Sequence, residues 1–464
     1  MTRSDRGADR ELTAGVVRAA SRLRWSSLSA GQRDAVERLL VDGCGVMLAG
    51  QPHPTTCALV EHVRELGCAP AVSLPSFGLA TAPQEAALLV GAATHALDFE
   101  PMFSPPTHAV SPVLGAVLAL AKAAPAPRCS GEQALEAFAA GVTLQAALRL
   151  ASTDHGEATP SQGVRHFPFH ADGFHLPGIL GVLGSALSAA MLLGLDEQPT
   201  ARALGIAASR AAGIAANIGT MSKALHSGNA ARAGVESALL AARGFTGSER
   251  VLEAPSGWIQ VFGGAGFDQD RALAEMEHPR CLEQPGFAFK RWPAHSAMQV
   301  AIAAALPLHE AGRVPSGKIA VAAPQLPYCD RPWPEDGDAA RFSFQLSVAL
   351  ALLDGEVTMG SYEDAQLGRA SLRELLGRIE LTMSPSIPRD FSRTEVRVEL
   401  ADGRCSVADR WPGHWKSPAT PTELREKFLE CAGSRLGPDA AAELHDRLLG
   451  LGVAACARAS LASL

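Results

Sequence analysis

Helix-start and helix-stop signals bracket almost every apolar stretch between residues 10 and about 265, and no other feature constrains the fold of this chain as tightly. Ser29 with Gln32 makes a capping box ahead of "RDAVERLL". Ser111 followed by Pro112 reads as a cap and a first-turn proline before "VLGAVLALAKA". Ser130 with Gln133 opens "ALEAFAAGVTLQAALRLA". Gly194 and Gly244 stand at the stop positions where left-handed backbone ends a helix. Ala and Gly dominate these runs, as expected of helices buried on most faces whose axes approach closely. The style changes near residue 267. "KIAVAAP" (318–324), "RIELTM" (378–383) and "TEVRVEL" (394–400) alternate as strands do, and Asp402-Gly403 fits a hairpin turn into "RCSVAD". "FSFQLSVALALLDG" (342–355) reads as a helix between strands, and Thr420-Pro421 with Glu423 caps a final helix pair. The predicted fold is mainly α with an inserted α+β domain. Residues 1–266 form the first part of a helical domain, 267–404 a smaller α+β lid, and 405–464 the C-terminal part of the helical domain.

Composition removes several function classes. Net charge is -7 and no Lys/Arg block reverses it, which argues against a nucleic-acid partner; aromatics at 5% leave little for base stacking. The nine cysteines are scattered and include no C-x-x-C, so reduced thiols in a cytoplasmic protein are expected and a cubane iron–sulfur cluster is not. The opening "MTRSDRGADREL" has no apolar h-region, so no signal peptide is expected. The uncharged run Leu176–Leu195 is nearly long enough to span a bilayer, but its Gly, Ala, Ser and Pro177 favour a buried core helix, and no membrane partner is expected.

Walker A, H-E-x-x-H, G-x-S-x-G and strand-borne G-x-G-x-x-G motifs are all missing. What remains is a set of His, Lys, Asp and Tyr residues at helix ends. A helix from about Pro83 ends near Asp98, and after a Pro-rich loop His108 lies three residues before Ser111. Asp98 and His108 can meet at a loop mouth, where a carboxylate orients an imidazole. His166, His170 and His175 precede another helix N-terminus, a place that attracts anions; their spacing fits no standard zinc pattern, so no metal is expected. Lys223 and His226 stand ahead of an Ala-rich run, Lys290, Arg291 and His295 lie in "FKRWPAH", and Tyr328 and Arg331 lie in the Pro-flanked "PYCDRPWP". Each cluster alone also reads as a solvated helix end. Together they can hold a di- or tricarboxylate without a metal.

"HALDF", "THAVSPVLGAVLALA", "GFHLPGILGVLGSALSAAMLLGLD", the long block at 203–247 and "FKRWPAH", in this order, resemble the MmgE/PrpD family over about residues 10–460. "AFKRWPAH" and "YCDRPWP…FSFQ…ALLDG" look most like its members that decarboxylate cis-aconitate to itaconate and CO2. The resemblance implies a homodimeric lyase with no cofactor, acting on a small unsaturated tricarboxylate. It places the active site on Asp98, His108, His175, Lys223, His295 and Tyr328. His108 set by Asp98 is then the acid/base group, with His295 or Tyr328 as the alternative proton donor. Lys223 and His175 bind carboxylates, with His226 and Arg331 as further substrate contacts. Glu100-Pro101-Met102 departs from the acidic-Thr pattern usual after "HALDF", and Ser104 and Gln299 lie where a His is common. A methylcitrate-type dehydratase or an epimerase, and a non-catalytic helical binding protein, are the alternatives.

Overall fold

The computed structural model describes residues 11–123, 129–152, 173–264, 266–388, 391 and 393–464. The helical part begins with α1 (Leu12–Arg22), α2 (Ala30–Gly50), α3 (Pro54–Leu66), α4 (Pro83–Ala96), α5 (Val110–Lys122) and α6 (Gly131–Ala151). It continues through α7 (Leu176–Leu192), α8 (Glu197–Ala208), α9 (Met221–Ala241) and α10 (Gln269–Glu277). The sequence signals hold at most of these ends. Ser29/Gln32, Ser130/Gln133 and, before the last helices, Thr420/Glu423 all form reciprocal capping boxes. Gly194 and Gly244 have φ of 66° and 82°, the left-handed region that favours glycine.

Ser111 is an exception. Helix α5 starts one residue earlier, at Val110, and the Ser111 hydroxyl does not cap it. The Ser111 N–H instead donates to the buried Glu100 carboxylate (2.8 Å), while its Oγ accepts from Ser227 (2.7 Å). A full negative charge at a helix N-terminus satisfies the exposed N–H groups better than a hydroxyl can.

Helices α4 and α9 cross with almost no side chain between them. A Cβ on Gly91 would come within 3.2 Å of Ala231, Gly228 and the Ser227 carbonyl, and one on Gly228 would sit 2.6 Å from the Leu88 carbonyl. The helices run antiparallel, so one turn beyond Gly91 the end of α4 meets the start of α9. That brings His95 and Asp98 to Lys223. Helix α5 packs on both, and α7 packs on α9 and α5. Helix α7, the uncharged run, is buried from Leu176 to Ala190. Helix α6 alone among described residues is long and apolar enough to cross a membrane, and it is 94% buried in the fold.

After α10 a four-stranded sheet forms in the order β6-β5-β7-β8, from β5 (Ile319–Pro324), β6 (Ile379–Ser384), β7 (Val396–Leu400) and β8 (Cys405–Ala408). Strand β5 pairs parallel to β6 and antiparallel to β7, and the predicted hairpin joins β7 to β8 with Gly403 at φ 88°. Helices α11 (Ser296–Ala305), α12 (Phe344–Asp354) and α13 (Ala370–Leu376) complete this part around its own apolar core. The α+β character matches expectation. The sheet extends past residue 404 through β8, and α10 packs on α6 and α1 of the helical part. Helices α14 (Pro421–Leu436) and α15 (Pro438–Leu449) then return to α2.

Two smaller ladders tie the ends together. Strand β1 (Val72–Leu74) pairs with β2 (Leu79–Thr81). Strand β3 (Met102–Phe103) pairs with β4 (Phe287–Ala288), in the register Met102↔Ala288. This second ladder joins the loop after α4 to the chain just ahead of "FKRWPAH", so Lys290 arrives beside Asp98.

Candidate active site

The centre of the site is the turn from Asp98 to Glu100. Asp98 adopts φ 50°, a left-handed conformation that Asp tolerates better than most residues. Two buried lysines hold the turn. Lys290 Nζ donates to the Asp98 carbonyl (2.6 Å) and to its Oδ1 in a shorter contact. Lys427 Nζ, from α14, donates to the Phe99 carbonyl (2.9 Å), pairs with Asp42 of α2 (2.8 Å) and lies 4.0 Å from the centre of the Phe99 ring.

Five titratable side chains then close a ring. Lys223 Nζ donates to Asp98 Oδ2 (3.0 Å) and to His95 Nε2 (2.9 Å). His95 Nδ1 is 2.5 Å from Glu100 Oε1. Glu100 Oε1 is 3.5 Å from His108 Nδ1, and His108 Nε2 is 3.7 Å from Asp98 Oδ1. An ammonium can only donate, so His95 Nε2 accepts and the ring proton sits on Nδ1, directed at Glu100.

Electrostatics fix the resting charges. Burial alone would push the Asp98 carboxyl up, but Lys223 and Lys290 outweigh it and hold the group well below the ordinary carboxylate range. Burial, reinforced by Lys290 and His95, takes His108 well below the usual imidazole value. Burial and Lys223 lower His95 against the pull of Glu100. Burial brings Lys290 down to about 8, even though Asp98 favours its charge. The centre therefore holds Asp98 as a carboxylate and His95 and His108 as neutral imidazoles at pH 7.

A narrow cleft of about 50 Å³ opens against this centre. Its polar lining is Thr107, His108, His175, Lys223, His295 and Tyr328, and Met102, Phe342 and Phe391 form apolar walls. The helical part supplies Lys223, His108 and His175; the sheet-bearing part supplies His295 and Tyr328. The Ala297 N–H donates to His295 Nδ1 (3.3 Å), which puts the proton of the neutral ring on Nε2. The Tyr328 ring meets His295 edge-on at 5.6 Å.

Asp98, His108, His175, Lys223, His295 and Tyr328, spread over 231 positions, converge here, with Asp98 behind Lys223 and the other five on the cleft wall. His226 does not line the cleft. It lies behind His175, Nδ1 to Nδ1 at 3.1 Å, and burial with the nearby His95 and Lys223 lowers it to about 4. Arg331 faces backbone carbonyls, those of Tyr328 (2.9 Å) and Ile218 (3.3 Å), and is absent from the cleft wall. It braces the Tyr328 turn, because a guanidinium fork satisfies two carbonyls that no regular ladder reaches. His166 and His170 lie outside the described residues. Sequence reasoning passed over His95, marked Glu100 only as part of a departure from the family pattern, and gave Lys290 no separate role. The signal available for His95 was its place one helical turn before Asp98. Gln299, where a His is common in the resembled family, is fully engaged: its Oε1 accepts from the Arg291 and Trp292 N–H groups, and its Nε2 donates to the Trp292 and Ala294 carbonyls.

His95, Glu100 and His108 offer three donor atoms within 4.8 Å of one another, the spacing of a potential metal site. The contacts do not fit that use. Neighbouring donors around a tetrahedral ion with bonds of about 2.0–2.1 Å stand roughly 3.3 Å apart, whereas His95 Nδ1 and Glu100 Oε1 share a proton at 2.5 Å. The second nitrogen of His95 already accepts from Lys223.

The sequence profile of the MmgE/PrpD N-terminal domain matches residues 16–270, and that of the MmgE/PrpD C-terminal domain matches residues 292–449. Cis-aconitate decarboxylase of Homo sapiens is 35% identical, over 77% of this chain and 74% of its own length. The Mus musculus protein of the same name is 34% identical, over 77% and 73%. Cis-aconitate decarboxylase of Aspergillus terreus is 24% identical, over 97% of this chain and 94% of its own.

Proposed function

Because the chain belongs to the MmgE/PrpD family, we propose that it decarboxylates cis-aconitate to itaconate and CO2 with no added metal or nucleotide. The observation that carries the reading is the convergence of His108, His175, Lys223, His295 and Tyr328 on one cleft backed by Asp98. The names of the human and mouse relatives support the choice of substrate.

Loss of CO2 from the trianion leaves an electron pair delocalised over an allylic fragment. A proton must then reach carbon, so the overall change is trianion plus one proton to dianion plus CO2. Such a site needs cations for the carboxylates that stay and an acid at the carbon. Lys223, with its ammonium in the cleft wall, anchors a carboxylate, and His175 adds a donor. His108 delivers the proton, and Asp98, 3.7 Å from its Nε2, stabilises the imidazolium. His295 and Tyr328 approach from the opposite wall. The apolar Phe342 and Phe391 exclude water, which strengthens each charge interaction. The sheet-bearing part acts in this reading as a lid, the chain as a homodimer and its location as cytoplasmic.

The test is to incubate chelator-treated protein with cis-aconitate and follow CO2 and itaconate together. Release of both supports the reading. Hydration or epimerisation of a related polycarboxylate without CO2 replaces it with the alternative reaction class, for which Met102 in the cleft wall is the feature to examine. Activity that returns only with added metal sinks the metal-free mechanism.

A further inference from the structure

His108 presents a difficulty for the proposed reaction. It is the acid in that reading, yet burial and the nearby lysine leave it neutral at rest, without the second ring proton that an acid must give up. The available proton sits on Lys223, across the site. Two side chains that do not line the cleft, His95 and Glu100, connect these groups. His95 is 1% exposed and Glu100 0%, and every polar atom of both is in contact with the ring or with the Ser111 N–H. Burying an imidazole and a carboxylate this deeply is costly, and neither is needed to hold Asp98, which two lysines already do.

We propose that His95 and Glu100 form a proton relay between Lys223 and His108. The inference rests on the proposed decarboxylation for its purpose, and on the contact ring for its path. A Lys223 Nζ proton passes to His95 Nε2 as the His95 Nδ1 proton passes to Glu100 Oε1. His95 ends neutral with its proton on the other nitrogen, Lys223 is an amine and Glu100 a neutral acid. Glu100 then turns its proton to His108 Nδ1, a buried atom with no hydrogen-bond partner among the described residues and 3.5 Å away. The result is a carboxylate at Glu100 and an imidazolium at His108, facing Asp98. One proton has moved, and no charge has been created or lost. Lys290 keeps Asp98 compensated while Lys223 is neutral. His108 gives the substrate carbon its Nε2 proton and keeps the new one on Nδ1; a solvent proton restores Lys223, and His95 and His108 return to their resting tautomers before the next turnover. His95 and Glu100 touch no substrate in this scheme and act only through the cleft groups.

The experiment compares wild type with Glu100→Gln, Glu100→Asp and His95→Gln on cis-aconitate. Glu100→Gln is expected to lower kcat about 100-fold or more, the scale of lost acid/base assistance, with KM within about 3-fold. Glu100→Asp, which keeps a carboxylate, recovers to within about 10-fold of wild type, and added imidazole raises the rate of Glu100→Gln in proportion to its concentration. Wild-type kcat in Glu100→Gln and His95→Gln overturns the relay. So does a loss that appears in KM alone, or one that is indifferent to both the Asp variant and imidazole and tracks a fall in Tm. A readout without substrate separates this inference from the reaction. In 15N-histidine spectra of the wild-type protein, His95 is expected as the Nδ1–H tautomer with a strongly downfield proton that Glu100→Gln abolishes. Protein that leaves cis-aconitate unchanged while showing this signal refutes the decarboxylation and supports the relay's resting state; an Nε2–H tautomer at His95 refutes the relay whatever the reaction.

Discussion

Replacing Lys223 with Met removes one charge from the point where cleft and buried centre meet. Two losses are expected, and the structure sets their sizes separately. The first is in stability. Breaking a buried ion pair commonly costs about 3–5 kcal/mol, because the other charge is left uncompensated. Here Asp98 keeps Lys290 on its Oδ1 and carbonyl, so the lower end of that range, about 3 kcal/mol, applies. The second is in catalysis. A desolvated carboxylate that loses its ammonium partner forfeits about 2–4 kcal/mol, and at 1.36 kcal/mol per decade this is roughly 30- to 1000-fold in kcat/KM. Steady-state kinetics on cis-aconitate measure the second, and urea unfolding at pH 7 the first. Lys223→Arg provides the control, since it keeps the charge but cannot reproduce both the 3.0 Å contact to Asp98 and the 2.9 Å contact to His95. It should recover part of the binding and little of kcat. A folded Lys223→Met protein with kcat/KM within 3-fold of wild type would falsify the assignment of this lysine, and with it the site.

Further outcomes follow from the same charges. Asp98→Asn leaves Lys223 and Lys290 facing each other without a carboxylate, at an expected cost of about 3–5 kcal/mol near neutral pH. The native Asp98 carboxyl lies well below its unfolded value, so its stabilisation is fully present above about pH 4 and lost as pH falls through the native value; a variant-to-wild-type gap that stays constant from pH 7 down to pH 2.5 would contradict this. Binding of propane-1,2,3-tricarboxylate, a saturated analogue, brings three negative charges to a centre whose His95, His108 and His226 are held toward neutrality. Calorimetry in buffers of different ionisation heat should show uptake of about one proton or more at pH 7, with affinity falling as pH rises, because an anion raises imidazole pKa values; zero uptake rejects the neutral resting state of these imidazoles. Lys427→Met leaves Asp42 buried without a cation and should cost about 3–5 kcal/mol, with Asp42→Asn/Lys427→Met recovering at least half in urea unfolding. No recovery means the pair's electrostatics are not what the loss reports.

Local chemistry in the sequence was enough to establish the helices. Capping boxes at Ser29, Ser130 and Thr420, and the left-handed glycines 194 and 244, act within one turn of chain, so their physics is complete in the residues themselves. The same holds for the strands at 319–324, 379–384 and 396–400, where alternation of side chains records one buried face. The residues that converge on the cleft were also legible, as charged or polar types ahead of apolar helices. Tertiary structure decided the rest. Ser111 has the appearance of a cap, but Glu100, eleven residues earlier, takes its N–H because a buried carboxylate outcompetes a hydroxyl there. Arg331 and His226 have the right chemistry for a substrate and are turned instead to carbonyls and to His175. Lys290 meets Asp98 only through the two-residue ladder of β3 and β4, and His95 meets Lys223 only because Gly91 and Gly228 let two antiparallel helices touch. Whether a polar residue faces ligand, backbone or another charge depends on partners set by tertiary packing, several of them more than a hundred positions away, and pairing at that range leaves no periodicity in a single sequence.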